Sequence, residues 1–243
     1  MFKFHFLRSM RDLVGHLILI AVPVLLIAFF NFIFSGKLEH YGMQAYSLPY
    51  LTILTIGFAL TFQIYGASVS FEVIGDDFFT PKRARLLASP AEPRTLVIST
   101  LVVGCAVSFL QTLAVLLFSS LVLKADLGAL HLTLPIFLVS VIFHQLLGTV
   151  ILLASGSVKT SNSILTIYGA VVPMSVGLYF PLPQSAFFEL LKHYLSPMAL
   201  ANTAVLGALE GNMPHVAIGV GTLILMSALL YLAVRPLIRR LAV

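Results

Sequence analysis

Acidic and basic side chains fall in a few tight groups along the chain, and long apolar runs separate them. Six stretches hold no Asp, Glu, Lys or Arg: 13–36, 40–71, 95–123, 127–158, 160–188 and 211–234. A hydrocarbon core about 30 Å thick needs roughly 20 helical residues, and every stretch exceeds that. The pattern predicts an all-α, polytopic membrane protein, with 1–243 as one transmembrane domain. Its six spans are expected at about 16–36, 49–71, 95–121, 131–154, 164–181 and 214–234. Pro23 marks a kink that neighbouring helices could satisfy. Before the first span, Phe2, Phe6, Met10 and Val14 recur every fourth residue, which predicts an interfacial amphipathic helix over 2–15. Between the second and third spans lies a loop, 72–94. Within it Pro81–Leu87 reads as a short helix stopped by Ser89-Pro90. Between the last two spans, 185–195 and 198–209 have helical apolar spacing and read as two short outer helices, together 185–209, lying in or dipping into the outer leaflet.

Composition agrees with this reading. Hydrophobic residues make up 59% of the chain and charged residues 9%, against about 25% charged in soluble domains. A disordered chain is excluded, and a soluble globular domain is a poor fit. The net charge of +5 follows from where the bases sit. With six spans and both termini inside, the inner segments carry 11 of the 14 Lys and Arg, as the positive-inside rule requires. Nucleic acid is not needed to explain them. The first apolar run is too long for a secretory leader and reads as an uncleaved span. Cys105, the one cysteine, excludes an intramolecular disulfide and a paired-cysteine metal site, so it reads as a small packing residue.

The chain carries no motif for chemistry of its own. It has no phosphate-cradling glycine loop, no His-Glu-x-x-His zinc pair and no nucleophile elbow. No metal and no cofactor are expected in this chain, and it is not expected to be an enzyme by itself. No span has an ionised residue in its middle, which argues against a proton-coupled carrier. The polar residues within spans are Thr61, Gln63, Gln111, His144 and Gln145. They could bond helix to helix or line a substrate path.

The loop after the second span has a recognisable order. Glu72 is followed by a basic segment, then Arg83-Ala84-Arg85-Leu86-Leu87-Ala88-Ser89-Pro90, then Glu92-Pro93-Arg94 at the third span. This resembles the type-2 ABC exporter permeases, whose loop has an acidic residue, a basic stretch, Arg-Leu-Leu, a small residue, Ser or Thr, Pro, and a basic residue. Ser196-Pro197 is similar to that family's step before its last outer helix. Lys82 replaces the usual glycine-threonine pair, and the Asp76-Asp77-Phe78-Phe79 insert departs from the family pattern.

The resemblance implies a permease subunit in the cytoplasmic (inner) membrane of a prokaryote. It would pair with an identical or related chain and with two copies of a separate ATPase that binds ATP and Mg. Residues 81–90 would be the coupling helix. Leu86 and Leu87 would supply apolar contact to the ATPase, and Arg83 and Arg85 would face acidic groups or lipid phosphates. Ser89, Pro90 and Arg94 would share in the coupling to the ATPase, as would Glu72, at the inner end of the second span near the N-terminal helix or the coupling region. The cargo would be amphiphilic: a drug, a lipid-like molecule, a peptide or a glycan. Alternatives from other classes are a stand-alone secondary transporter or channel, and a membrane scaffold protein.

Overall fold

The computed structural model describes residues 2–9, 12–34, 48–88, 92–128, 130–180, 182 and 185–241. Among them every regular element is a helix: α1 (Phe2–Ser9), α2 (Leu13–Phe34), α3 (Tyr50–Gly66), α4 (Ser68–Phe78), α5 (Lys82–Leu87), α6 (Pro93–Leu121), α7 (Leu130–Ser155), α8 (Val158–Ser175), α9 (Ala186–His193), α10 (Pro197–Glu210) and α11 (Met213–Leu241). Five segments are long and apolar enough to cross a membrane: α2, α3 with α4, α6, α7 and α11. The protein is a membrane-embedded helical bundle.

The expected fifth span, 164–181, is displaced by about one and a half turns, to Val158–Ser175, at unchanged length. Ser157 caps α8, accepting from the Thr160 N–H at 3.3 Å, so the helix begins early, with Lys159, Thr160, Ser161, Asn162 and Ser163 in its first turns. It stops at Ser175, after Pro173 and just before Gly177 at φ +70°. The following irregular backbone is buried against α3: the Tyr50 hydroxyl donates to the Tyr179 carbonyl at 3.3 Å, and the Tyr179 ring stacks on Phe58 at 4.3 Å. Non-helical backbone is tolerated at depth only when protein covers it. With its polar start, α8 is not among the five segments apolar enough to span.

Other boundaries move for local reasons. The helix expected over 2–15 divides into α1 and α2. Asp12 caps the second piece, accepting from the Gly15 N–H at 3.0 Å. The expected loop 72–94 is largely helix: α4 runs to Phe78, and only the short α5 and its flanks lie outside regular spans. The helix starting near 214 continues through Arg235-Pro236 to Leu241. Of the two outer helices, α10 is capped by Ser196, whose side chain accepts from the Ala199 N–H at 3.0 Å. It is buried along α7 and α11 rather than lying at a surface. Gly211 ends it in the left-handed conformation, φ +75°, a position that favours glycine.

Side-chain contacts define the two ends of the bundle. At one end Arg8 meets Asp76 and Asp77, Asn162 meets Glu72, and Arg83 meets Leu241. This end collects α1, the end of α4, α5, the start of α8 and the end of α11, and with them most of the described basic residues. At the other end Thr52 donates to the Asp126 carbonyl at 2.8 Å. Phe30, Phe34, Tyr50, Phe58, Tyr179 and Phe180 form an aromatic cluster there.

Candidate functional site

A cleft of about 360 Å³ opens at the basic end, between the α1–α2 junction, the α3–α4 junction and α8. Its lining mixes apolar side chains, among them Ile18, Leu19, Ile64 and Leu165, with polar ones, among them Arg8, Asp12, His16, Ser68, Glu72 and Asn162. Local chemistry positions each polar group. Arg8 is held by two carboxylates, Nη1 to Asp77 and Nη2 to Asp76, both at 2.7 Å. Asn162 donates to Glu72 Oε1 at 2.9 Å, joining α8 to α4 across the cleft. His16 Nε2 lies 2.8 Å from the Ser9 carbonyl, which can only accept, so that nitrogen carries the proton. Its Nδ1 therefore accepts from Gln111 Nε2 at 2.9 Å. The α1–α2 junction is thus tied to α6 through one imidazole. The cleft therefore offers apolar contact and hydrogen-bonding groups side by side.

Behind the cleft the long helix breaks at Ala67, and the freed carbonyls find side-chain donors. Ser68 Oγ donates to the Tyr65 carbonyl at 2.7 Å. The Gly66 carbonyl accepts from Ser108 Oγ and from Gln145 Nε2, each at 3.0 Å. Gln145 spreads its amide protons further, to the Gly104 carbonyl at 3.2 Å and Ser108 Oγ at 2.7 Å, and Ser70 Oγ donates to its Oε1. Small residues let these backbones meet. A Cβ on Gly104 would lie 2.6 Å from Ser70 Cβ, and one on Gly66 would lie 2.8 Å from Ser108 Oγ.

The five polar span residues do not line the cleft. Gln145 holds the break. Gln111 reaches the cleft only through His16. Thr61 bonds the Gly57 carbonyl at 2.8 Å and the Tyr179 hydroxyl. Gln63 Nε2 donates to Thr112 Oγ1 and the Phe137 carbonyl, both at 3.4 Å. His144 Nδ1 donates to Ser140 of its own helix at 2.9 Å, and its Nε2 has no partner among the described residues.

The loop residues separate by direction. Arg83 turns inward and donates to the Leu241 carbonyl at 3.1 Å. Leu86 packs on the helical core, while Arg85 and Leu87 point outward. Arg94 lies at the start of α6 beside Tyr231 of α11. Ser89 and Pro90 lie outside the described residues. Sequence reasoning passed over Arg8, Asp12, His16, Asp76, Asp77 and Asn162 as site residues. The signal was present for two of them: paired acids directly after an apolar span call for a cation, and Arg8 is one of few bases near enough. Among the described residues, no group of His, Cys, Asp and Glu side chains could hold a metal. No family model matches the chain, and neither a curated protein nor a solved structure does.

Proposed function

We propose that this chain is the membrane-spanning permease subunit of an ATP-driven exporter of the type-2 ABC class. It moves an amphiphilic substrate and works with a second permease chain and two separate ATPase subunits. In this reading α8 and the buried backbone after it act as a sixth, shorter crossing. Both termini face the cytoplasm, and α5 is the coupling helix. One observation carries the reading: α5 is short, basic and outward-facing, and it is fastened to both sides of the bundle. Lys82 Nζ bonds Asp76 at 2.5 Å, and Asp76 in turn holds Arg8 at the cleft. Arg83 bonds the end of α11. A push on α5 from an ATPase would therefore reach the cleft wall and the last span together. Transport also requires that each nucleotide state favour a different membrane conformation.

The test is affinity purification of the full chain from its own cells in mild detergent, read for a co-purifying ABC ATPase and for ATP turnover. Wild type is expected to retain the ATPase. Arg85→Glu with Leu87→Asp, both outward-facing, is expected to lose it while still inserting in the membrane. A wild-type chain that retains no ATPase, or a double variant that retains it undiminished, overturns the reading.

A further inference from the structure

A second concavity, about 500 Å³, lies on the outer side of α6, α7 and α11, away from the cleft. Its wall is almost wholly apolar: Leu101, Val102, Cys105, Ile142, Leu146 and Ala228 are typical. At its basic end stands Tyr231. The Arg235 guanidinium lies 4.9 Å from the centre of that ring, and Arg94 also approaches the Tyr231 hydroxyl. Neither guanidinium has a carboxylate partner among the described residues, although Glu92 is two positions from Arg94. The spacing makes this one continuous feature. Arg94, Ile98, Val102 and Cys105 recur at helical intervals on α6, and Arg235, Tyr231 and Ala228 do so on α11. From Arg94 to Cys105 the helix rises about 16 Å, close to half of a hydrocarbon core about 30 Å thick.

We propose that this groove is a binding site for an anionic glycerophospholipid of the leaflet at the basic end, with an acyl chain along α6, α7 and α11 and the phosphate between Arg94 and Arg235. The groove is one leaflet deep, apolar along its length and cationic where a headgroup sits. Uncompensated bases at that level select anionic over zwitterionic lipid. A second copy of this chain is a poorer occupant. A two-fold contact brings the same patch to itself, which would set Arg94 and Arg235 against their own counterparts.

The chain has no tryptophan, so one introduced indole is the only such emitter. Val102→Trp places it at the groove, and Leu25→Trp places it on the exposed face of α2. The full chain is reconstituted in vesicles with phospholipid brominated on its acyl chains, either phosphatidylglycerol or phosphatidylcholine. Quenching at Val102→Trp is expected to favour phosphatidylglycerol by about fivefold or more, the scale for one basic side chain at a lipid surface. Leu25→Trp is expected to show no preference. Adding Arg94→Gln and Arg235→Gln should erase the preference at the groove. Unchanged quenching of Leu25→Trp in that background shows that the variant remains inserted. Equal quenching by both lipids at Val102→Trp overturns the proposal, as does a preference that survives loss of both arginines. Absence of quenching by either lipid, with Cys105 cross-linking between copies, also overturns it and assigns the groove to a second chain.

Discussion

Helix α2 and the broken pair α3–α4 lie side by side and are built on opposite principles. α2 is the most apolar of the spanning segments, yet only Pro23 and Ile27 are buried in it. The α3–α4 segment is the least apolar, and most of its residues are buried. In water the order would be reversed. In lipid, apolar side chains gain little by leaving the tails, and association rests on close packing and interhelical hydrogen bonds. The polar helix is therefore the centre of the bundle, and the greasy one is its rim.

The sharpest way to break that comparison is at Gln145. Gln145→Leu is more apolar and similar in size, so a water-style core would tolerate it. Here it removes four hydrogen bonds, each about 0.6 kcal/mol in a membrane helix pair, and it strips one donor from the Gly66 carbonyl. A loss of about 3 kcal/mol is expected, read as unfolding in graded sodium dodecyl sulfate. Next comes Gly104→Val, which drives new methyl groups into Ser70 and Gln145. It should cost about 2 kcal/mol by overpacking in the same titration. The smallest effect belongs to the rim. Leu25→Ala, at a position 66% exposed, should shift stability by less than about 0.5 kcal/mol. If Leu25→Ala proves as damaging as Gln145→Leu, α2 is a packed element and the contrast fails.

Much of this was legible in the chain. The charge-free runs located α2, α6, α7 and the start of α11 within a few residues, because lipid demands long apolar helices and little else; the end of α11, past Arg235-Pro236 to Leu241, lay beyond them. Pro81 marked the start of α5 through local backbone chemistry, and helical apolar spacing located α10. What stayed hidden depended on distant partners. Nothing near Gly66 says that the helix breaks there, because the donors that satisfy the break come from Ser108 and Gln145 on other helices. The burial of α10 was hidden too: its alanines look surface-like until α7 and α11 are laid against them. Asp76 and Asp77 call for a cation in the sequence, but that Arg8 supplies it is evident only in the folded chain.

That ion pair also orders events during synthesis. Arg8 emerges first, but Asp77 follows 69 residues later, after α2 and α3 have been made. At about 5–20 residues per second, the N-terminal helix waits about 3–14 s for its anchor. Until then α2 lacks the tie that α1 gives it to α4, and its near-unbroken apolarity is what holds it in the bilayer.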